Sequence, residues 1–390
     1  MIRWRSGVVL AVRREWRGAV ELDVSTSEGT IRALAYPELT GRPEPGDRLL
    51  LNTSALALGL GTGGYALVVA LPDRLPADPA GPGHLVKARY TPLQATVLGA
   101  DEQDSPHYEA LRAADDIGGV PVVIADLHSA LPAVLAALRA PFPAGPAGRP
   151  PVAAYVMLDG GALPAWFSRT CAGLREAGWL RGTVTTGQSF GGDLEAVTLH
   201  SGLLAARHVL RADVIVVAQG PGNLGTGTRW GFSGVACGEA VNAAAVLGGR
   251  PVASLRVSEA DRRERHYGVS HHSLTAYGRV ALARADVVVP ELPGAFGARV
   301  AAQAAGLAGR HTLVSVSTDG LAETLRGCPV PLSSMGRGLD QDLAYFLAAA
   351  AAGRHAAALL ERPPAGAEPD GRAGQDSPGP AGPGHPDNEE

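Results

Sequence analysis

From residue 84 onward, eight short runs rich in β-branched and aliphatic residues alternate with stretches of helical periodicity, and this alternation restricts the fold more than any motif does. The β-rich runs fall near 85–90, 120–125, 152–158, 183–186, 214–218, 252–257, 287–289 and 313–316. Helical patterns lie near 131–138, 165–177, 194–211, 235–247, 274–285, 295–307 and 339–352. An unbroken apolar run such as Val214-Ile-Val-Val-Ala218 suits a strand buried on both faces. The order predicts an α/β protein with a doubly wound, mostly parallel sheet. Ligands of such sheets sit beyond the carboxyl ends of the strands.

Five shorter β-rich runs, near 7–12, 19–24, 30–36, 48–52 and 65–70, predict a small β-barrel domain over residues 1–75. A glycine cluster at 59–64 fits a barrel corner. Residues 76–83 lack periodicity and are expected to be a linker, followed by a Rossmann-like domain over 84–355. A Pro/Gly loop at 141–151 divides two units of that domain. Residues 356–390 form an acidic, Pro/Gly-rich segment expected to be a disordered tail.

Composition narrows the function classes. No uninterrupted apolar stretch approaches the roughly 18 residues of a membrane span, and Met1-Ile-Arg-Trp-Arg-Ser6 lacks a signal core, so a cytoplasmic location without a membrane partner is expected. The net charge of −4 is carried by the last thirty residues, with seven acids against two arginines, so no nucleic-acid partner is expected. Cys171, Cys237 and Cys328 have no metal-type spacing and read as reduced, buried thiols. Lys87 is the chain's single lysine against 33 arginines, which makes a Schiff-base mechanism a poor fit.

The loops that follow the expected strands carry the chemistry: Asp126, His128 and Ser129; Asp159-Gly-Gly161; residues 187–193; residues 219–234; and residues 258–273. The run from Gln219 to Gly234 holds six glycines in sixteen residues. Gly220, Gly222 and Gly225 match G-x-G-x-x-G, but Pro221 intrudes and no acidic ribose partner follows at the required distance. From Gly222 to Gly227 the spacing is that of a P-loop, yet Thr228 and Arg229 stand where Lys and Ser/Thr are required. A general anion cradle remains, built from the amides of Gly225 to Gly227 and Ser233 to Val235 and the hydroxyls of Thr226 and Thr228, with Ser233 as helix cap. The alternative is a wide glycine turn packed on a neighbouring loop.

Gly187-Gln-Ser-Phe-Gly191 spells G-x-S-x-G, which makes Ser189 a candidate nucleophile. Asp159-Gly-Gly161 would then supply oxyanion amides, and Asp261 with His266, His271 or His272 the remaining triad. In the loop 258–273, Arg262 and Arg263 are candidate anion clamps, and His266 or His271 a proton shuttle near neutrality with Asp159 or Asp193. These histidines match no recognised metal spacing, so no metal is assigned, although Asp126 and His128 could join them.

With these residues laid out, the chain resembles a bacterial family known as domain of unknown function three-eight-six-six. The carriers are residues 58–64, Tyr90-Thr-Pro-Leu-Gln94, Asp159-Gly-Gly-Ala-Leu-Pro164, residues 187–193, Gly220-Pro-Gly222, Gly225-Thr-Gly-Thr228 and His271-His272. The family has no assigned activity, so the resemblance implies identity without mechanism. The lead expectation is an enzyme that binds a small anionic or phosphorylated metabolite, its cofactor left open and a homo-oligomer compatible with the chain. A serine hydrolase and a non-catalytic ligand-sensing or partner-binding module are the alternatives.

Overall fold

The structure is a computed structural model that describes residues 2–60, 63–140 and 149–361. Most of the 141–151 loop, part of the 59–64 cluster and the segment 362–390 lie outside the described residues.

The N-terminal runs close into a five-stranded barrel of order β1-β2-β3-β5-β4. Its strands are β1 (Trp4–Trp16), β2 (Ala19–Thr26), β3 (Gly29–Ala35), β4 (Arg48–Asn52) and β5 (Ala66–Ala70), with short helices α1 (Pro37–Thr40) and α2 (Ser54–Ala57) in the connections. Val9, Val20, Leu22, Val24, Leu49, Leu51 and Val68 fill its interior. The barrel docks on the second domain through the β1–β2 turn. There the Trp16 indole donates to the Trp166 carbonyl at 2.7 Å, and Arg17 pairs with Asp193 at 2.5 Å.

The run at 85–90 is expected as a sheet strand but forms half of a separate antiparallel hairpin, β6 (Leu85–Lys87) with β7 (Ala95–Val97). That hairpin buries Lys87 completely. Its ammonium donates to the carbonyls of Gly187 at 2.8 Å and Ala196 at 3.0 Å and lies 3.5 Å from Glu195 Oε2. Burial lowers its pKa. An amine-acylating reagent is therefore expected to modify the N-terminus of the native protein but not Lys87, as read by peptide mass. Rapid acylation of Lys87 before unfolding would contradict this enclosure.

After α3 (Tyr108–Leu111) the main sheet is laid down by β8 (Pro121–Ile124), β9 (Ala153–Leu158), β10 (Gly182–Thr185), β11 (Leu194–Glu195), β12 (Val214–Gln219) and β13 (Arg250–Ser254). A small ribbon, β14 (Val257–Ser258) with β15 (Gly268–Val269), precedes the last two sheet strands, β16 (Asp286–Glu291) and β17 (Thr312–Ser317). All eight sheet strands run parallel in the order β11-β10-β9-β12-β8-β13-β16-β17. Side chains alternate between two cores, as a strand's period of two requires. Val122, Ile124, Ala154, Val156, Ile215 and Val217 face one core, and Val123, Tyr155, Met157, Val214 and Val216 the other.

Helices cover both faces. On the first face lie α6 (Leu199–His208), α7 (Ala236–Val246) and α9 (Gly294–Ala305). The second carries α4 (Leu131–Arg139), α5 (Arg169–Glu176), α10 (Leu321–Arg326) and α11 (Leu343–Leu360). From β8 the chain crosses by α4 to β9, and from β12 it crosses by α7 in the opposite direction to β13. The neighbouring strands β12 and β8 thus form the topological switch point, beyond whose carboxyl ends such sheets bind their ligands.

By length and composition α11 could cross a membrane, although Gly353, Arg354 and His355 break its apolar sequence. In the fold it is a core helix, with Phe346 and Ala350 fully buried and the Arg354 guanidinium donating to the Ser317 and Asp319 carbonyls. It also continues through Leu360 with Ala356 and Ala357 buried, so the tail expected from 356 starts too early.

Candidate functional site

Four loops meet beyond the switch point. Gln219, the last residue of β12, donates from Nε2 to the Asp126 carbonyl at 2.7 Å and to Asn223 Oδ1 at 2.9 Å, tying the loops after β12 and β8 together. The loop after β9 joins them backbone to backbone, with the Ala162 amide donating to the Pro221 carbonyl at 2.8 Å. The Phe232 ring stacks on His272 at 3.8 Å and an interplanar angle of 1°, which brings in the loop after β13.

The glycine-rich segment is a hairpin rather than a nest of free amides. Gly225 pairs with Phe232, the Thr226 amide donates to the Gly231 carbonyl at 2.7 Å, and the Gly231 amide donates to Thr228 Oγ1 at 3.1 Å. Thr226 and Thr228 hydroxyls lie 3.1 Å apart. Positive φ angles at Gly222 and Gly227 shape the turns. Ser233 does not cap α7: its hydroxyl accepts from the Leu224 amide and donates to Asn223 Oδ1, each at 3.1 Å. A 3-10 turn, Ser233–Val235, precedes the helix. The groups expected as an anion cradle are therefore mostly engaged within the hairpin, and Gly220 is glycine because the Ala162 carbonyl approaches its backbone.

The loop after β13 holds the polar centre. Arg256 is buried, with Nη1 3.3 Å from His272 Nδ1 and 3.7 Å from Asp126 Oδ2, while its amide donates to Ser273 Oγ at 2.9 Å. Ser270 caps α8 (His271–Thr275) and lies 2.8 Å from His266 Nδ1. The rings of His266, His271 and His272 have centroids 4.4 to 4.9 Å apart.

Burial first, and then the neighbouring Arg256, push His266 and His272 down to about 3; burial and Arg265 lower His271. At neutral pH His266 and His272 are therefore uncharged, and His266 does not fit the expected shuttle titrating near neutrality, while His271 is shifted in the same direction. Burial raises Asp126, with Arg256 opposing it. Among the described residues five buried side-chain polar atoms lack a hydrogen-bond partner, and three of them, Asp126 Oδ2, Gln219 Oε1 and His271 Nε2, belong to this edge. Buried polar atoms are rarely left without a hydrogen bond, so this edge is the least satisfied polar cluster of the domain among the described residues.

Arg263 is not a free clamp. Its guanidinium holds Asp261 by two hydrogen bonds of 2.8 and 2.6 Å. Ser258 donates to Asp342, which also receives Arg337 at 3.0 Å from a ribbon of β18 (Ser333–Ser334) and β19 (Arg337–Gly338). Arg262 is exposed, and Arg265 is exposed beside Gly227 of the hairpin. Arg263 keeps the Asp261 carboxyl well below the usual carboxylate range, its side-chain hydrogen bonds being the largest cause. A carboxylate depressed in the folded state adds stability above its unfolded value of about 3.9 and loses it as pH falls toward the folded value. Protection against hydrogen exchange across 258–270, taken relative to the intrinsic rate at each pH, is expected to fall below about pH 4 in the native chain, and Asp261→Asn to lack that acid step. An identical step in both chains would contradict the assignment.

Ser189, Asp159 and Asp193 stand apart from the histidines. Ser189 follows β10, four strand positions from β13, or roughly 19 Å at about 4.8 Å per strand. It is fully buried with Oγ unpartnered, positive φ falls on Gly187 and Gly191 instead, and the strand β11 follows it where a nucleophile elbow needs a helix. Asp159 is exposed and accepts from the Gln188 amide at 2.9 Å. Asp193 binds Arg17 and Arg175 and anchors the barrel. These placements leave the serine-hydrolase arrangement without a histidine.

His128 also turns away, its ring held between the Tyr155 hydroxyl at 3.0 Å and Ser168 Oγ at 2.7 Å. Arg256 and Phe232 were not singled out from the sequence. Their one signal is position, immediately after β13 and immediately before the turn into α7. The model of the family described as Protein of unknown function (DUF3866) matches residues 32–353. No curated protein matches the chain.

Proposed function

The chain belongs to that family, and from its geometry we propose an enzyme that binds a small anionic or phosphorylated metabolite at the switch point between β12 and β8. The observation that carries this reading is the meeting of four loops at an edge with three buried polar atoms that make no hydrogen bond. Asp126 and Asp261 neutralise Arg256 and Arg263, so the exposed Arg262 and Arg265 are the cations that draw in an anion. His271 Nε2 and Gln219 Oε1 supply polar contacts. Both lie beside groups whose protonation burial has shifted, the pattern of a reactive site.

Thermal unfolding with inorganic phosphate and small carboxylates tests the reading. A ligand at a hundredfold excess over its Kd stabilises by about 3 kcal/mol, enough to raise Tm by several degrees. The rise is expected to shrink in Arg262→Ala, Arg265→Ala. A flat response to every anion, or a rise that the double variant keeps in full, would overturn it.

A further inference from the structure

We propose that His266, His271 and His272 together hold one divalent transition-metal ion of the imidazole-preferring class, such as zinc or cobalt. The inference rests on reading this edge as a ligand site and specifies what the ligand's anion would meet there. One nitrogen from each ring lies within 4.8 Å of one from each of the others. A triangle with sides at that limit has its centre about 2.8 Å from each nitrogen, so shifts under about 1 Å reach the usual metal–nitrogen distance of about 2.1 Å.

Three further observations support the ion. His266 is oriented by Ser270 Oγ on its Nδ1, which leaves Nε2 without a hydrogen bond. Phe232 fixes the plane of His272. Asp126 Oδ2, which accepts no hydrogen bond and lies 3.7 Å from Arg256 Nη1, is 3.8 Å from His272 Nδ1. If His272 binds an ion through Nε2, its proton must move to Nδ1, which opens the 3.3 Å contact with Arg256 Nη1 and turns that N–H toward the carboxylate, the arrangement in which a carboxylate orients a metal-bound imidazole. The same event would satisfy His271 Nε2, a buried nitrogen left without a hydrogen bond.

Arg256 lies 3.3 Å from His272 Nδ1 and 3.7 Å from Asp126 Oδ2, so that carboxylate offsets its charge, and Arg263 is paired with Asp261. The spacing escapes motif recognition because His266 comes from a 3-10 turn, and His271 and His272 from the first turn of a helix beyond the β14–β15 ribbon. Three protein ligands leave a coordination position open, as reactive rather than structural zinc sites do. An anionic substrate held by Arg262 and Arg265 would complete the sphere.

The test is cobalt uptake by chelator-treated full-length protein, followed by visible absorption and elemental analysis. About one equivalent per chain with a low-symmetry cobalt spectrum is expected, and a loss of at least about a hundredfold in affinity for His271→Gln and His266→Gln. Circular dichroism checks that each variant is folded, and the wild-type stoichiometry stands whether or not they fold. Uptake below about a fifth of an equivalent, or equal uptake by folded wild type and variants, overturns the proposal. Phosphate-dependent Tm shifts recorded with chelator and with cobalt separate the two readings. Cobalt uptake without any anion response removes the proposed substrate class and keeps the metal, while an anion response without uptake removes the metal alone.

Discussion

Arg256→Ala is expected to destabilise the protein by about 3–5 kcal/mol, as removal of one partner from a buried ion pair does. Arg256 is 4% exposed, and among the described residues its guanidinium is the only cationic group within ion-pair distance of Asp126 apart from the His272 ring, which is uncharged at neutral pH. Asp126 is equally buried, and its backbone carbonyl is fixed by Gln219, so it cannot swing to solvent. Loss of the guanidinium leaves a buried carboxylate between Gly234 and the uncharged His272 ring. That carboxyl is already raised by burial, and without Arg256 it rises further. A group whose folded pKa is raised contributes stability at low pH and loses it as pH climbs through the folded value. The deficit of Arg256→Ala is therefore expected to be largest at neutral and higher pH and to narrow in acid.

Asp126→Asn placed in the same background removes the unpaired charge and is expected to recover a substantial part of the loss. Urea unfolding of wild type, both single variants and the double variant measures the coupling. A single variant within about 1 kcal/mol of wild type, or a double variant no better than Arg256→Ala, would show that the pair does not hold the loops together.

Strands of the large sheet were legible because a parallel strand covered on both faces needs an apolar residue at every position, as Val214 to Ala218 shows. The segment 194–211, expected as one helix, begins instead with the edge strand β11. Its helix starts after Thr198, whose hydroxyl and that of Ser201 form a reciprocal cap. Two residues are too few to carry a period, so β11 has no pattern to detect, whereas Thr198 was a readable cap. In the site, the histidines of 266–272 stood out as polar residues after a strand. Arg256 did not, because Leu255 and Val257 flank it and the triplet continues the apolar run of β13. The glycines of 220–227 were visible but ambiguous: sequence shows that a side chain is absent, not which neighbour excludes it.

That ambiguity is resolved at Gly161, where substitution is expected to be severe. A Cβ there would lie 2.1 Å from the Gly220 carbonyl oxygen and 2.7 Å from the Gly222 carbonyl oxygen, so the obstructing atoms are backbone and cannot rotate away. Its φ is not positive, which makes the penalty steric rather than torsional. Gly161→Ala must therefore push the loop after β9 off the loop after β12, stretching the Ala162–Pro221 hydrogen bond. Overpacking of this kind costs about 3 kcal/mol at its upper end. Because Gln219 and Phe232 belong to the displaced loop, the anion-dependent rise in Tm is expected to vanish as well. Gly225→Ala is the matched control: its nearest neighbour would be 3.9 Å away and its φ is ordinary, so stability within about 1 kcal/mol of wild type is expected. Urea midpoints and phosphate-dependent Tm shifts for the two variants decide the matter. Near-identical behaviour of Gly161→Ala and Gly225→Ala would mean that the loops are not locked backbone to backbone and that the four-loop edge has a different basis.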